Sequence, residues 1–206
     1  MSPRGSSTAP RVAQIHEAAL ALFAQRGYHE TTMDNIVERT GLSKGTLYWY
    51  FESKQDLLIS LFRQVMQELM GAWREAIDTG GETAEEKLHA SLAFFRSRAE
   101  QMTTIFGILI EAWSLSRRDD VMVEAILEAW GEAAEAMDRL LESGTASGEF
   151  QVQEPTQTAF VILSLIAGLM LRMGSGIWVY RWDEILDTVE PLLLNGLREE
   201  APCEQG

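Results

Sequence analysis

Apolar residues recur along this chain at spacings of three and four positions, the period of an α-helix that buries one face. The first such stripe consists of Val12, Ile15, Ala19, Leu22 and Phe23. Sustained alternation of apolar and polar residues, which would indicate strands, is missing from the sequence. The pattern therefore predicts an all-α fold of about nine helices, with a small N-terminal three-helix head and a larger helical body.

Glycines, prolines and polar capping residues divide this pattern into elements. The first four helices are predicted from about Pro10 to Gln25, after Thr31 or Thr32 to Gly41, after Ser43 to Phe51, and from Ser53 to Ile77. Five more are predicted at about 84–99, 103–116, 119–143, 155–174 and 182–197. Residues 143–148, which contain two glycines, are predicted to form a loop.

The segment from Thr31 to Gln55 predicts a helix-turn-helix motif, in which two short helices pack through an apolar inner face around a tight turn. Gly41 suits the turn, because glycine adopts positive φ without strain. Successive helical residues rotate by about 100°, so an inward Leu47 leaves one face of the second helix pointing outward. The inner face is assigned to Ile36, Val37, Leu42 and Leu47, and the outer face to Gly45, Thr46, Tyr48 and Trp49.

That outer face suits the major groove of DNA. Thr46 and Tyr48 can donate to phosphates or base edges, and Trp49 can pack on a sugar or a thymine methyl group. The predicted phosphate contacts are Thr31 and Thr32 at the start of the second helix, Lys44 on the third, and Lys54 at the start of the fourth. The alternative is that the run Tyr48 to Phe51 is a buried aromatic cluster.

The charge distribution is compatible with a DNA-binding head. The net charge of the chain is −14, which by itself argues against a nucleic-acid partner. Residues 1–60, however, hold six Lys and Arg against six Asp and Glu, so the body carries the whole excess. A neutral head can bind DNA if its positive groups share one face, and the acidic body disfavours loose binding.

The helix-turn-helix segment and the residues that flank it resemble a known protein family. The run GYHETTMDNIVERTGLSKGTLYWYFESKQDLL, preceded by ALALFAQRG, resembles the N-terminal domain of the TetR family of transcriptional repressors over about residues 11–60. The resemblance implies DNA contacts at Thr32, Lys44, Gly45, Thr46, Tyr48, Trp49, Tyr50 and Lys54. Asp34 departs from it, because some members carry a basic, base-reading residue there.

The resemblance also implies a homodimer that binds a palindromic operator and a small-molecule effector. It divides the chain into a flexible arm (1–10), a DNA-binding domain (11–55), a ligand-binding and dimerisation domain (56–200) and a flexible tail (201–206). The interface is assigned to the last two helices, at Ile162, Leu165, Ile166, Leu169, Ile185, Val189 and Leu192. The ligand pocket is assigned to Phe94, Met102, Phe106, Ile110, Glu111, Trp113, Trp130, Met137, Met173 and Trp178.

Glu111 stands in an otherwise uncharged run with several aromatic residues nearby in sequence, so it could receive a cationic ligand. It could instead pair with Arg96, Arg98 or Arg172, or point to solvent. Plain core packing is the alternative for every apolar residue of the predicted pocket.

Other functions find less support in the sequence. His16, His29 and His89 are scattered without metal-ligand spacing, and no catalytic or phosphate-loop motif is present, so neither enzyme activity, a cofactor nor a metal is predicted. His16 and His29 are predicted to be solvated. A single cysteine and an N-terminus without an apolar core predict a cytoplasmic protein without a membrane segment. The alternatives are a partner- or ligand-binding protein that no longer binds an operator, and an activator without a small effector.

Overall fold

The computed structural model describes residues 8–175 and 180–198, without the side chains of residues 99, 100, 103, 104, 173 and 174. The secondary structure of these residues consists of helices joined by turns, which confirms the predicted all-α fold class. The elements are α1 (Thr8–Arg26), α2 (Met33–Thr40), α3 (Lys44–Tyr50), α4 (Lys54–Thr79), α5 (Ala84–Ser97), α6 (Ala99–Ser116), α7 (Asp120–Ser147), α8 (Pro155–Gly174) and α9 (Trp182–Arg198).

The chain forms two compact units. The first, which we call the head unit, comprises the described residues up to Val65 together with Thr104–Ile126. The second, which we call the body unit, comprises Met66–Thr103 and the described residues from Leu127 onward. The head unit therefore extends past the predicted domain end at residue 55 and includes most of α6. The helices α4, α6 and α7 each continue from one unit into the other.

The head unit is built on α1 and the first half of α4. Ile15, Ala19, Leu22 and Phe23 of α1 are buried, as their spacing predicts. The helix begins at Thr8, two residues before the predicted start. His16 is buried and contacts Ser60 and Gln64 of α4, so the prediction that it is solvated was wrong. Its imidazole finds polar partners on α4 that a pattern limited to α1 cannot reveal.

The start of α4 is fixed by reciprocal capping. Ser53 Oγ accepts a hydrogen bond from the Asp56 backbone N–H at 3.0 Å, and the Asp56 carboxylate accepts from the Glu52 N–H at 3.1 Å. These bonds satisfy N–H groups that a helix start leaves without partners. The helix then runs 26 residues to Thr79, with Trp73 fully buried in the body unit.

The α7 helix is longer than predicted, because residues 143–147 continue it. Gly144 lies so close to neighbouring side chains that a Cβ there would approach Phe150 to 2.3 Å and Ala84 to 2.7 Å. The glycine therefore serves close packing within a helix, and the turn comes only at Gly148, whose φ is +80°. Glu149 of that turn accepts from the Glu85 N–H at 3.1 Å and so caps α5.

The α8 helix has a buried face and an exposed face. Ile162 and Ile166 are buried in the core of their own body unit, as is Val189 of α9. The assignment of these three residues to a dimer interface was therefore wrong: the core of the chain itself covers them. The opposite face exposes Phe160, Val161, Leu165 and Leu171, and Leu192 of α9 is also exposed.

The segment Pro155–Arg172 is apolar and long enough to span a bilayer, judged by length and composition alone. Such a segment is weak evidence for a membrane helix, since a core helix of the same composition meets the same criteria. One face of the segment, which includes Ile162, Ile166 and Met170, is buried within the protein.

Candidate nucleic-acid interface

The helix-turn-helix motif is held together by local capping. Thr32 and Asn35 form a capping box at the start of α2, with reciprocal bonds of 3.2 and 3.0 Å. Gly41 adopts a left-handed conformation with φ of +67°, and its N–H donates to the Val37 carbonyl at 2.9 Å. Ser43 caps α3 by accepting from the Thr46 N–H at 3.0 Å. Each predicted boundary of the motif thus rests on a short-range hydrogen bond.

The α3 helix presents aromatic side chains to solvent. Leu47 is fully buried, whereas Trp49 is 73% exposed and Tyr48 is 42% exposed. The Trp49 ring meets Tyr50 edge-on, with ring centroids 4.7 Å apart. Neighbouring apolar groups that are exposed to water often mark a surface that contacts another molecule. Their exposure favours the DNA-contact interpretation of Tyr48 and Trp49 over the buried cluster, whereas Phe51 is buried.

The rest of the α3 surface is open to a close approach. Gly45 is exposed, and a Cβ added there would meet only the Ser43 Oγ, at 4.0 Å. Thr46 shares a hydrogen bond of 2.8 Å with the Ser43 hydroxyl and is partly exposed. The surface around Gly45 is therefore small and polar, as close packing against a DNA backbone requires.

Lys44 is exposed and forms an ion pair of 2.8 Å with Asp34, the residue that departs from the family pattern. The hydrogen bond to the Asp34 carboxylate, and its charge, raise the pKa of Lys44. A phosphate that binds Lys44 must therefore compete with Asp34 for the ammonium group. The pair reduces the positive charge that this edge of the head offers to DNA.

Thr31 does not belong to the interface. It is fully buried, and its hydroxyl donates to the carbonyl of Gly27 at 2.8 Å. The prediction of a phosphate contact at Thr31 was therefore wrong: the hydroxyl binds the turn that follows α1. Thr32 is exposed at the helix start and keeps the predicted position.

Lys54 does not present its charge to DNA either. Its ammonium group donates to the carbonyls of Tyr28 at 2.7 Å, His29 at 3.3 Å and Thr31 at 2.6 Å, and it lies 4.3 Å from the centre of the Tyr28 ring. An ammonium has three hydrogens, so these bonds use every donor. Burial lowers the pKa of Lys54, an effect that the charges of Glu111 and Glu30 oppose. These bonds favour a structural role for Lys54 over the predicted phosphate contact.

Glu111 was assigned to the ligand pocket, but the structure places it in the head unit. Its Oε2 lies 3.4 Å from Nε2 of His29, a partner that the sequence did not suggest. His29 is exposed in the turn between α1 and α2, as predicted. No local pattern could have found this contact, because it joins residues far apart in sequence.

The other predicted ligand residues are divided between the units. Phe94, Met102, Trp130 and Met137 belong to the body unit, and Phe106, Ile110 and Trp113 belong to the head unit. Phe94, Met102 and Met137 are buried, whereas Ile110 and Trp113 are exposed. Trp178 and the Met173 side chain lie outside the described residues. Two surface cavities, of about 670 and 400 Å³, contain none of the predicted ligand residues.

Two capped helices joined by a glycine turn, with the second helix exposing aromatic and polar side chains, define a helix-turn-helix DNA-binding protein. A family model described as "Bacterial regulatory proteins, tetR family" matches residues 15–61. The regulator YfiR of Bacillus subtilis is 28% identical over 176 residues, which are 81% of this chain and 78% of YfiR.

Solved structures agree over nearly the whole chain. A TetR/AcrR-family regulator from Thermobifida fusca is 28% identical with a TM-score of 0.71, covering 92% of this chain and 100% of its own. The regulator FadR of Bacillus subtilis, solved with stearoyl-CoA, is 25% identical with a TM-score of 0.68, covering 89% and 98%. The chain belongs to the TetR family and is a DNA-binding transcriptional regulator.

The corrected role of Lys54 can be tested through the salt dependence of DNA binding. We expect Lys54→Met to lower the free energy of unfolding by about 1–3 kcal/mol, because three turn carbonyls lose a charged donor. The slope of log K against log salt should stay unchanged, since each phosphate contact contributes about 0.9 to it. Fluorescence anisotropy at several salt concentrations, with thermal unfolding alongside, measures both quantities.

Lys44→Met is the matched control for this experiment. It should flatten the salt slope by about 0.9 and leave stability nearly unchanged, because Lys44 is exposed and its ion pair with Asp34 lies at the surface. A Lys54→Met protein with the flatter slope would restore Lys54 as a phosphate contact.

Proposed function

We propose that this protein is a homodimeric cytoplasmic repressor, without catalytic activity, that binds a palindromic operator and is released by a small apolar or amphipathic effector. The observation that carries this proposal is the exposure of Tyr48 and Trp49 on a capped α3 whose inner residue Leu47 is buried. A protein that had lost its operator would have no need to keep two large aromatic groups in water.

The proposed DNA contacts are the exposed or partly exposed residues of the motif. Trp49 and Tyr48 would meet base edges, sugars or thymine methyl groups, with Tyr50 supporting Trp49 through their edge-on contact. Gly45 allows the approach, and Thr32, Lys44 and Thr46 bind phosphates. Thr31 and Lys54 are left out because their polar groups bind the α1–α2 turn.

The dimer is supported by the exposed face of α8. Leu165 borders a cavity of about 400 Å³ that is almost entirely apolar and is also lined by Gly168, Leu169, Tyr180 and Ile185. With Val161 and Leu169, each four positions away, it forms an apolar stripe at helical spacing. A second copy of α8 and α9 would remove this surface from water. The corrected interface therefore comprises Leu165, Leu169, Ile185 and Leu192, and a two-fold dimer in turn favours a palindromic operator.

The effector site is proposed in the body unit, among Phe94, Met102, Trp130 and Met137. Methionine and aromatic side chains repack readily around apolar ligands. Phe94, Met102 and Met137 are buried in this structure, so a ligand would have to displace core contacts as it enters. A ligand that binds only one of two conformations would then shift the balance away from the DNA-binding one.

Operator binding is tested with DNA from around the gene of this protein, by mobility shift against a scrambled fragment at two salt concentrations. We expect a selective shift that resists salt. Trp49→Ala should lose about 1–3 kcal/mol of specific binding and retain its thermal stability, because the side chain is 73% exposed. Weak, salt-labile binding to both fragments would indicate that the protein binds a ligand or partner instead.

Dimerisation is tested by sedimentation. We expect a dimer for the native protein and a folded monomer for Leu165→Glu with Leu192→Glu, because a charged side chain cannot be buried in an apolar interface without a partner. Leu127→Glu alters an equally exposed leucine on α7 and should remain dimeric. A native protein that sediments as a monomer contradicts the proposed interface.

Effector release is tested by adding stearoyl-CoA, the ligand of the solved relative FadR, to the protein–DNA complex, with free coenzyme A as the control. We expect the acyl form to dissociate the complex and to raise the unfolding temperature of the free protein. If neither stearoyl-CoA nor a panel of apolar and amphipathic compounds does so, the regulator acts without a small effector.

A further inference from the structure

The turn between α1 and α2, residues 27–32, is held by side chains from two distant helices. Lys54 of α4 donates to three of its carbonyls, the closest at 2.6 Å. Glu111 of α6 approaches the same turn through His29, at 3.4 Å. Both α4 and α6 continue into the body unit. The turn is therefore the place where two of the connecting helices contact one short segment of the head.

Glu111 affects more than His29. Its side chain is only 20% exposed, and its neighbours Leu109 and Ala112 on α6 are buried. Limited contact with water strengthens the field of a carboxylate. Together with burial, that charge raises the pKa of Tyr28, and it favours the charged form of Lys54. Glu111 thus interacts with three neighbouring groups: the His29 ring, the Tyr28 ring and the Lys54 ammonium.

The position of this turn determines where α2 begins. Thr31 is fixed to the end of α1 by its bond to the Gly27 carbonyl at 2.8 Å, and its own carbonyl accepts from Lys54. Thr32, the next residue, caps α2. The α2 helix packs on both α1 and α3. A displacement of the turn would therefore shift α2, and with it the orientation of α3.

We propose that Glu111 and His29 are positioning residues for DNA binding: their contact joins α6 to the α1–α2 turn and makes operator affinity depend on a positive charge at residue 29. The proposal rests on operator binding by the head. The Glu111–His29 contact ties the turn to α6, in addition to the Lys54 bonds that tie it to α4. Neither residue needs to touch DNA for this role.

The sign of the pH dependence follows from the groups that face His29. Histidine side chains change charge between about pH 5 and pH 8. Glu111 of α6 is the acid at contact distance, Glu30 and Tyr28 adjoin His29 in the turn, and Lys54 of α4 binds its carbonyl. Protonated His29 is attracted to Glu111 and holds the turn against α6. Affinity for the operator should therefore be higher at the acidic end of this range, where histidine side chains are charged, than at the basic end.

The experiment compares the operator affinity of the native protein and of His29→Lys from pH 5.5 to pH 8. Lysine keeps its positive charge over this range, so the variant should keep its attraction to Glu111. We expect the native protein to lose about two- to fivefold in affinity relative to His29→Lys, the size expected for a partly exposed ion pair. His89→Asn removes a histidine that contacts Glu190 in the body unit, and it should follow the native profile.

Parallel profiles for the native protein and His29→Lys would overturn the proposal, and so would a relative gain in affinity at high pH. Glu111→Gln removes the carboxylate that faces residue 29. The pH profile of this variant should therefore match that of the double variant Glu111→Gln with His29→Lys. The buried His16 is unchanged in all these proteins, so it cannot account for a difference between them.

A measurement without DNA separates failure of this proposal from failure of the repressor function. In Glu111→Gln at pH 6, the backbone amides of Thr32, Asn35 and Ile36 should exchange hydrogen several-fold faster, because α2 loses its fixed start. Unchanged exchange rates would refute the link through Glu111. If no DNA fragment binds at any pH while exchange does respond, operator binding fails and the positioning contact stands.

Discussion

The Lys54 ammonium and the three carbonyls that it binds are the contact on which the DNA-binding head depends. Tyr28, His29 and Thr31 lie in a turn that one backbone bond closes, from the Thr31 N–H to the Tyr28 carbonyl at 3.2 Å. The carbonyls of all three residues converge on one cation at the start of α4. Half-buried carbonyls without a donor are costly, so the ammonium both satisfies the turn and fixes its distance from α4. The α2 and α3 helices then follow from this point through their own caps. A residue that a family pattern assigns to DNA thus acts first inside the protein.

The charge of the chain is organised around the same head. Residues 1–60 carry no net charge while the rest carries −14, and within the head Lys44 pairs with Asp34 and Lys54 is enclosed by carbonyls. These two lysines therefore offer DNA less positive charge than their number implies. Contacts from the aromatic and hydroxyl groups of α3 would favour selectivity over loose association.

The two faces of α8 differ in burial, and this difference separates the residues that were assigned to an interface into two groups. The sequence makes the helix apolar on nearly every side, and that composition alone implies burial all round. In the structure, only one face of the helix is buried. Ile162 and Ile166 face the core of their own chain, whereas Val161, Leu165 and Leu171 are exposed. Composition cannot distinguish these two faces, because both are equally apolar.

Local chemistry in the sequence determined the helices of the head and their caps. Thr32, Gly41 and Ser43 act within four residues of themselves, so their roles follow from the order of residues alone, and the outward direction of Trp49 follows from the helical period. Contacts between distant residues were decided only by the tertiary structure: His16 with Ser60 and Gln64, Gly144 with Phe150, Lys54 with the turn, and Glu111 with His29. The physical reason is that a polar or charged side chain takes whichever partner packing brings within about 3 Å, and that partner is fixed by the path of the whole chain.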